Sequence, residues 1–266
     1  MDLSTLDYTY ILIAALLVGF TKTSVGGVGI LAVLLMALAF PGKASPGILL
    51  PMLLLADVFA VLYYRRDCQW KILLKIFPMT ALGVILAYYI IDLIPIELFR
   101  LTLGWLILLM LALGFLMDYF QAKQGAGQPL NHQPPPANKN TAVLYSFGKN
   151  LLINMTGLAA GVTTMIANAA GPVFSVYLLR LGLKKAEFVG TRSWFFLVIN
   201  VFKIPFSISL GLITPQTLTL NAMAIPVIIF GAYLGYIFLK KINLSAFKWL
   251  VRAAVLVAAI RLIIWH

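Results

Sequence analysis

Long apolar runs dominate this chain, and short polar stretches separate them. Unbroken runs cover residues 47–64, 71–92 and 97–118, then 189–209, 216–239 and 244–264. Each has about the ~20 residues that a helix needs to cross a hydrocarbon core, so each is predicted as one transmembrane helix. Two further segments, 8–40 and 148–182, are apolar at both ends but interrupted by glycines and hydroxyl residues, over Gly19–Gly27 and Gly161–Gly171. The pieces flanking each interruption hold about 14–18 residues, roughly 21–27 Å of helix at 1.5 Å per residue, short of a ~30 Å core. Each pair is either two tilted spans or a hairpin that enters the membrane and turns back inside it.

One long polar stretch, 119–141, contains Pro134, Pro135 and Pro136 and no apolar period, as an extended linker does. It divides the chain into a first transmembrane repeat (1–118) and a second (142–266). The halves repeat one another in order. Gly19, Thr21 and Gly29 match Gly161, Thr163 and Gly171 at one constant offset, and Pro78, Gly83 and Tyr88 match Pro226, Gly231 and Tyr236 at a slightly larger one. Asp57 falls beside Asn200 within one residue. A duplicated unit accounts for this ordered set.

Composition strengthens the membrane reading. The chain has 266 residues, of which 62% are hydrophobic and only 11% charged. A soluble domain carries about 25% charged residues, so a soluble enzyme or binding module is excluded. The net charge of +12 would suggest nucleic acid in a soluble protein; here it reads as loop charge facing anionic lipid, with no nucleic-acid partner. If each broken segment is a hairpin returning to its own side, thirteen Lys and Arg residues gather on the linker's face, and only Lys43, Arg100 and Arg261 lie opposite. If every piece crosses, the cations divide evenly. The positive-inside rule favours the hairpins, a cytoplasmic linker and both termini outside. Each half then has three true crossings, and the halves are inverted repeats. The predicted fold is an all-α polytopic membrane protein of two inverted-topology repeats, each a broken, re-entrant helical hairpin followed by three transmembrane helices. Trp70, Tyr119, Trp194 and Trp265 near span ends read as an interfacial belt.

The two breaks are the places where chemistry is expected. Backbone leaves helical geometry at membrane depth only where protein or a water-filled cavity satisfies it. Exposed helix N-termini at such a break offer N–H groups and the positive end of a dipole to an anion. Gly19, Gly26, Gly27, Gly29, Gly161 and Gly171 are read as backbone hinges. Thr21, Thr23, Ser24, Thr163, Thr164 and Asn168 are candidate donors to a substrate. Lys22 is a candidate counter-charge, since an ammonium at membrane depth has to be paired or solvated. Asp57, in the middle of an apolar span, is the candidate proton-coupling group, with Lys22 or Lys203 as its partner. Arg192, Asn200 and Lys203 lie on one predicted helix, the last two sharing a face at spacing three. Three buried cations against one carboxylate favour an anion as cargo. A single Cys68 and two histidines, His132 and His266, exclude a disulfide framework and a Cys- or His-built metal centre. No cofactor is implied, and no hydrolytic or nucleotide-binding motif is present.

The glycine-rich break Gly19–Gly29, its repeat at Gly161–Gly171, and the run Ala186, Glu187, Phe188, Val189, Gly190, Thr191 resemble the TauE/SafE sulfite exporter family over essentially the whole chain. The resemblance implies a bacterial inner-membrane carrier, not an enzyme, that moves sulfite, sulfonates and related anions, mostly outward. The chain departs from the family pattern at Ala167–Gly171, where a glycine run is usual, and in carrying Arg192, Trp194, Asn200, Lys203 and Pro205. The expected cargo is therefore a small sulfur-containing or carboxylate anion. The expected function is a proton-coupled, alternating-access exporter whose midplane site is formed by the tips of the two hairpins. The alternatives are an anion channel using the same loops, or an uptake carrier for carboxylates. Its expected partners are the anion, the bilayer and a second copy in a homodimer.

Overall fold

A computed structural model describes residues 4–23, 29–40, 42–124 and 139–238, with Leu256 and Ile260. The described residues form nine α-helices. They are α1 (Thr5–Thr23), α2 (Gly29–Ala39), α3 (Ala44–Tyr64), α4 (Trp70–Leu93), α5 (Ile96–Gln124), α6 (Lys139–Ala167), α7 (Ala170–Arg180), α8 (Lys185–Ser209) and α9 (Pro215–Phe238). The span expected at 244–264 lies outside the described residues apart from Leu256 and Ile260. Of the stretch read as a linker, helix extends through Gln124 and resumes at Lys139.

Five predicted spans become α3, α4, α5, α8 and α9 with ends close to those read from the apolar runs. Five helices in all are long and apolar enough to cross a membrane, α1, α3, α4, α6 and α9. Their outward faces carry Leu62, Leu74, Tyr89, Leu93, Met223 and Tyr233, all strongly exposed. In water such a surface would aggregate; against lipid it is at home. The broken segments differ from the expected equal halves. Each is a long helix followed by a short one, 19 then 11 residues in the first half and 29 then 11 in the second. At 1.5 Å per residue an 11-residue helix reaches only about 16 Å, half of a hydrocarbon core. So α2 and α7 are each too short to cross alone.

Two helix pairs make the closest contacts, α1 with α9 and α6 with α4. Exchanging the halves turns one pair into the other. Glycines permit both approaches. A Cβ at Gly19 would collide with the Ile228 carbonyl of α9, and one at Gly161 with the Thr80 carbonyl of α4. Gly231 and Gly83 reciprocate against the Leu16 and Leu158 carbonyls. The sequence reading placed Gly19 and Gly161 at hinges; both instead lie inside continuous helices, where the absent side chain admits a neighbouring backbone. Through the middle of the molecule α3 packs on α8, and Asn200 of α8 donates from Nδ2 to Asp57 Oδ2 of α3 at 2.7 Å.

Candidate functional site

The α6–α7 break is a sharp local turn. Asn168 takes φ +53°, a left-handed conformation that asparagine tolerates better than most residues. Its N–H and that of Ala169 return to the Thr164 and Thr163 carbonyls at 3.0 and 3.1 Å, closing α6. The next helix begins at once. Its N-cap, Ala169, has no side chain that can cap, so the first N–H groups of α7 have no side-chain acceptor there. Gly171 and Pro172 of that first turn line a cavity. The end of α1 and the start of α2 face the same cavity through Thr21, Lys22 and Gly29.

Charges converge on this place from three helices. Lys22 Nζ of α1 lies 2.5 Å from Asp57 Oδ1 of α3, and Asn200 of α8 binds the other carboxylate oxygen. Asp57 is wholly buried, while the Lys22 side chain keeps 11% of its surface. Of the two partners expected for Asp57, the one in contact is Lys22. Lys22 also stands 4.3 Å from the centroid of Phe196, and the Arg192 guanidinium stands 5.6 Å from that same centroid. Phe196 is fixed edge-on against Phe174 and Phe195, which stack on each other at 3.8 Å. One ring thus draws two cations together. Lys203, only 2% exposed, faces the α6–α7 turn. Its ammonium donates to the Thr164 carbonyl at 2.7 Å, to Thr164 Oγ1 at 3.3 Å and to Asn168 Oδ1 at 2.5 Å. The Asn168 amide then donates to the Pro46 carbonyl at the start of α3 at 2.8 Å.

The cavity has a volume of about 80 Å³, room for several waters or one small polyatomic anion. Arg192, Asn200, Thr164 and Asn168 complete its polar wall; Val33, Leu49 and Met110 belong to its apolar one. Two buried polar atoms here lack a protein partner, Thr21 Oγ1 and Arg192 Nε. A buried donor without an acceptor is costly, and both would be satisfied by oxygens of an anion in the cavity. Lys22, Arg192 and Lys203 against Asp57 leave the surroundings positive.

Not every expected ligand reaches the cavity. Thr23 donates instead to the Ala232 carbonyl of α9 at 2.8 Å, and Thr163 to the Ala159 carbonyl of its own helix at 2.7 Å. Gly29 and Gly171 form part of the wall, and Gly171 has open space where a side chain would go. Ser24, Gly26 and Gly27 lie outside the described residues. Phe196, Ser175 and the Pro46 carbonyl were missed. A signal for Phe196 existed: 192, 196, 200 and 203 step by four, four and three along one helix face.

The family-like run at the start of α8 lies away from the cavity and holds the loop between α3 and α4. Gln69 donates from its backbone N–H to Thr191 Oγ1 at 2.9 Å and from Nε2 to Glu187 Oε1 at 2.7 Å. The Trp194 indole donates to the Arg65 carbonyl at 3.3 Å and packs on Trp70 at 4.9 Å. Cys68, half-buried in this loop, has its thiol pushed up to about 11 by burial.

A protein-family model, Sulfite exporter TauE/SafE, matches residues 11–262. No curated protein and no solved structure matches the chain. The match covers both broken hairpins, the cavity between them and the helices that cross the membrane, so this is an integral membrane transport protein and not an enzyme. The chain belongs to the TauE/SafE sulfite exporter family.

Proposed function

We propose that the protein carries a small sulfur-containing anion, sulfite or an organosulfonate, out across the bacterial inner membrane. The anion is bound where the two hairpin tips face each other. One observation carries this reading: a cavity between the tips gathers Lys22, Arg192, an unpartnered Thr21 hydroxyl and the uncapped start of α7. Fixed donors among buried side chains suit an oxyanion.

The ion pair suggests the coupling. An anion entering between Lys22 and Arg192 competes with Asp57 for the Lys22 ammonium. A buried carboxylate deprived of its cation is neutralised by a proton, so cargo binding and protonation of Asp57 become linked. The two halves, in opposite orientation with the linker in the cytoplasm and both termini outside, then rock to alternate access. Thr164, Asn168 and Lys203 hold the α7 side of the site, and Asn200 holds Asp57.

The test is a thermal-shift panel on detergent-purified protein with sulfite, thiosulfate, taurine, sulfoacetate and simple carboxylates. Ligands that bind only the folded state raise Tm, and sulfur oxyanions are expected to do so most. In proteoliposomes, transport should respond to an imposed pH gradient, and Asp57→Asn should abolish that response. Lys22→Ala should abolish transport outright when assayed below its own, lowered Tm. Counterflow of labelled anion is expected of a carrier, whereas large single-channel currents would replace this reading with a pore.

A further inference from the structure

The α3–α8 pair is built the same way at both ends. At its centre, Asn200 binds Asp57. Gly47 and Gly190 each precede the central polar residue of their own helix by ten positions, and the same offset relates Gly47 to Gly190 as Asp57 to Asn200. Each glycine receives the loop that follows the partner helix. A Cβ at Gly190 would stand 2.8 Å from the Asp67 carbonyl carbon, in the loop after α3. A Cβ at Gly47 would collide with the side chain and carbonyl of Leu212, in the loop after α8. The two helices are therefore antiparallel. Ten helical residues span about 15 Å, so the two contacts lie one at each face of a ~30 Å core, with the charged cavity between. The Asp67 end is on the linker's side, since α4 and α5 lead from it across and back to the linker.

Resting on the carrier reading, we infer that these two glycine clasps are the two gates of the transport cycle, each with its loop seated against its glycine in this structure. Opening either one means withdrawing one loop from one glycine, with the Asp57–Asn200 bond as the pivot between them. On the linker side the latch includes the two Gln69 bonds to Glu187 and Thr191. That gives the run Ala186–Thr191 a part in gating and not in binding.

The test uses the full-length chain with Cys68→Ser and Thr21→Cys as a reporter in the cavity wall. Everted and right-side-out vesicles are treated with membrane-impermeant 2-sulfonatoethyl methanethiosulfonate, in the absence of sulfite. Gly190→Val should speed labelling from the linker side alone, and Gly47→Val from the opposite side alone. A rise of about tenfold is expected where one or two hydrogen bonds' worth of closure is lost. Unchanged rates, or a rise from both sides in either variant, would overturn the proposal. Where the valine variants do not fold, Gln69→Ala with Thr191→Val loosens the linker-side latch without added bulk and should give a one-sided rise of about threefold; an unchanged rate overturns it equally. If instead sulfite and the sulfonates gave the unmodified protein no thermal stabilisation, the carrier reading would fail while the gating result stood.

Discussion

Lys22 and Asp57 hold each other in a place where neither is comfortable alone. The carboxylate is wholly buried and the ammonium nearly so. Removing one member of such a pair leaves the other uncompensated, at a cost of about 3–5 kcal/mol. Lys22→Met alone should therefore lower Tm, and adding Asp57→Asn should restore most of the loss. Thermal unfolding of the single and double variants measures this coupling; strictly additive losses would show that the pair does not act as one unit. Lys203 is different. It has three oxygen partners and only 2% exposure, so Lys203→Met should cost about 2–4 kcal/mol by stranding the Thr164 carbonyl and the Asn168 amide oxygen. No second substitution at Asp57 should rescue it, and rescue would contradict the assignment of Lys203 to the α6–α7 turn. Asp57 was legible in the sequence because a lone carboxylate in an apolar run has to serve some purpose there. Thr23 and Thr163 were misleading because a helical hydroxyl readily donates to the carbonyl four residues back, or across to a neighbouring helix, and nothing in the sequence says which. Phe196 went unnoticed because one phenylalanine among seventeen announces nothing until the cations beside it are in place.

The same glycine pattern supports two different structures at the level of helices. Both broken segments were visible in the sequence, and so were most crossing helices, because charged or turn-forming residues bound their apolar runs. The second break falls inside the stretch read for it, Gly161–Gly171, but which residue turns there was not visible. Gly19 and Gly161 suggested hinges, but in a membrane the missing side chain is as useful for letting helices touch. The chain bends later, at Asn168 in the second half, where asparagine adopts the left-handed turn and a glycine was not required. The distinction is measurable. Gly161→Ala would push a methyl group into the Thr80 carbonyl, and overpacking of that kind costs about 1–3 kcal/mol. Gly171→Ala meets open space and should leave Tm nearly unchanged, while narrowing the cavity that Gly171 lines. Equal effects on stability at the two positions would contradict the packing assigned to the α4–α6 contact.

At the scale of the molecule, the two halves bring their hairpin tips to one cavity, and α3 and α8 cross between them with one polar bond at the middle and a glycine contact at each end. Short α2 and α7 are each about 16 Å long, half of a hydrocarbon core, and Gly29 and Gly171 of their first turns line that cavity. The result is a positively charged chamber of about 80 Å³, large enough for one small polyatomic anion. Selenite is a heavier analogue of sulfite with the same pyramidal oxyanion shape, and selenium scatters anomalously. Diffraction at the selenium edge from crystals grown with selenite, using protein without selenomethionine, would therefore locate the anion directly. The account predicts one strong anomalous peak inside the cavity, within contact of Lys22, Arg192 and the first turn of α7. A well-occupied peak elsewhere, with the cavity empty under conditions where selenite competes with sulfite for binding, would contradict it.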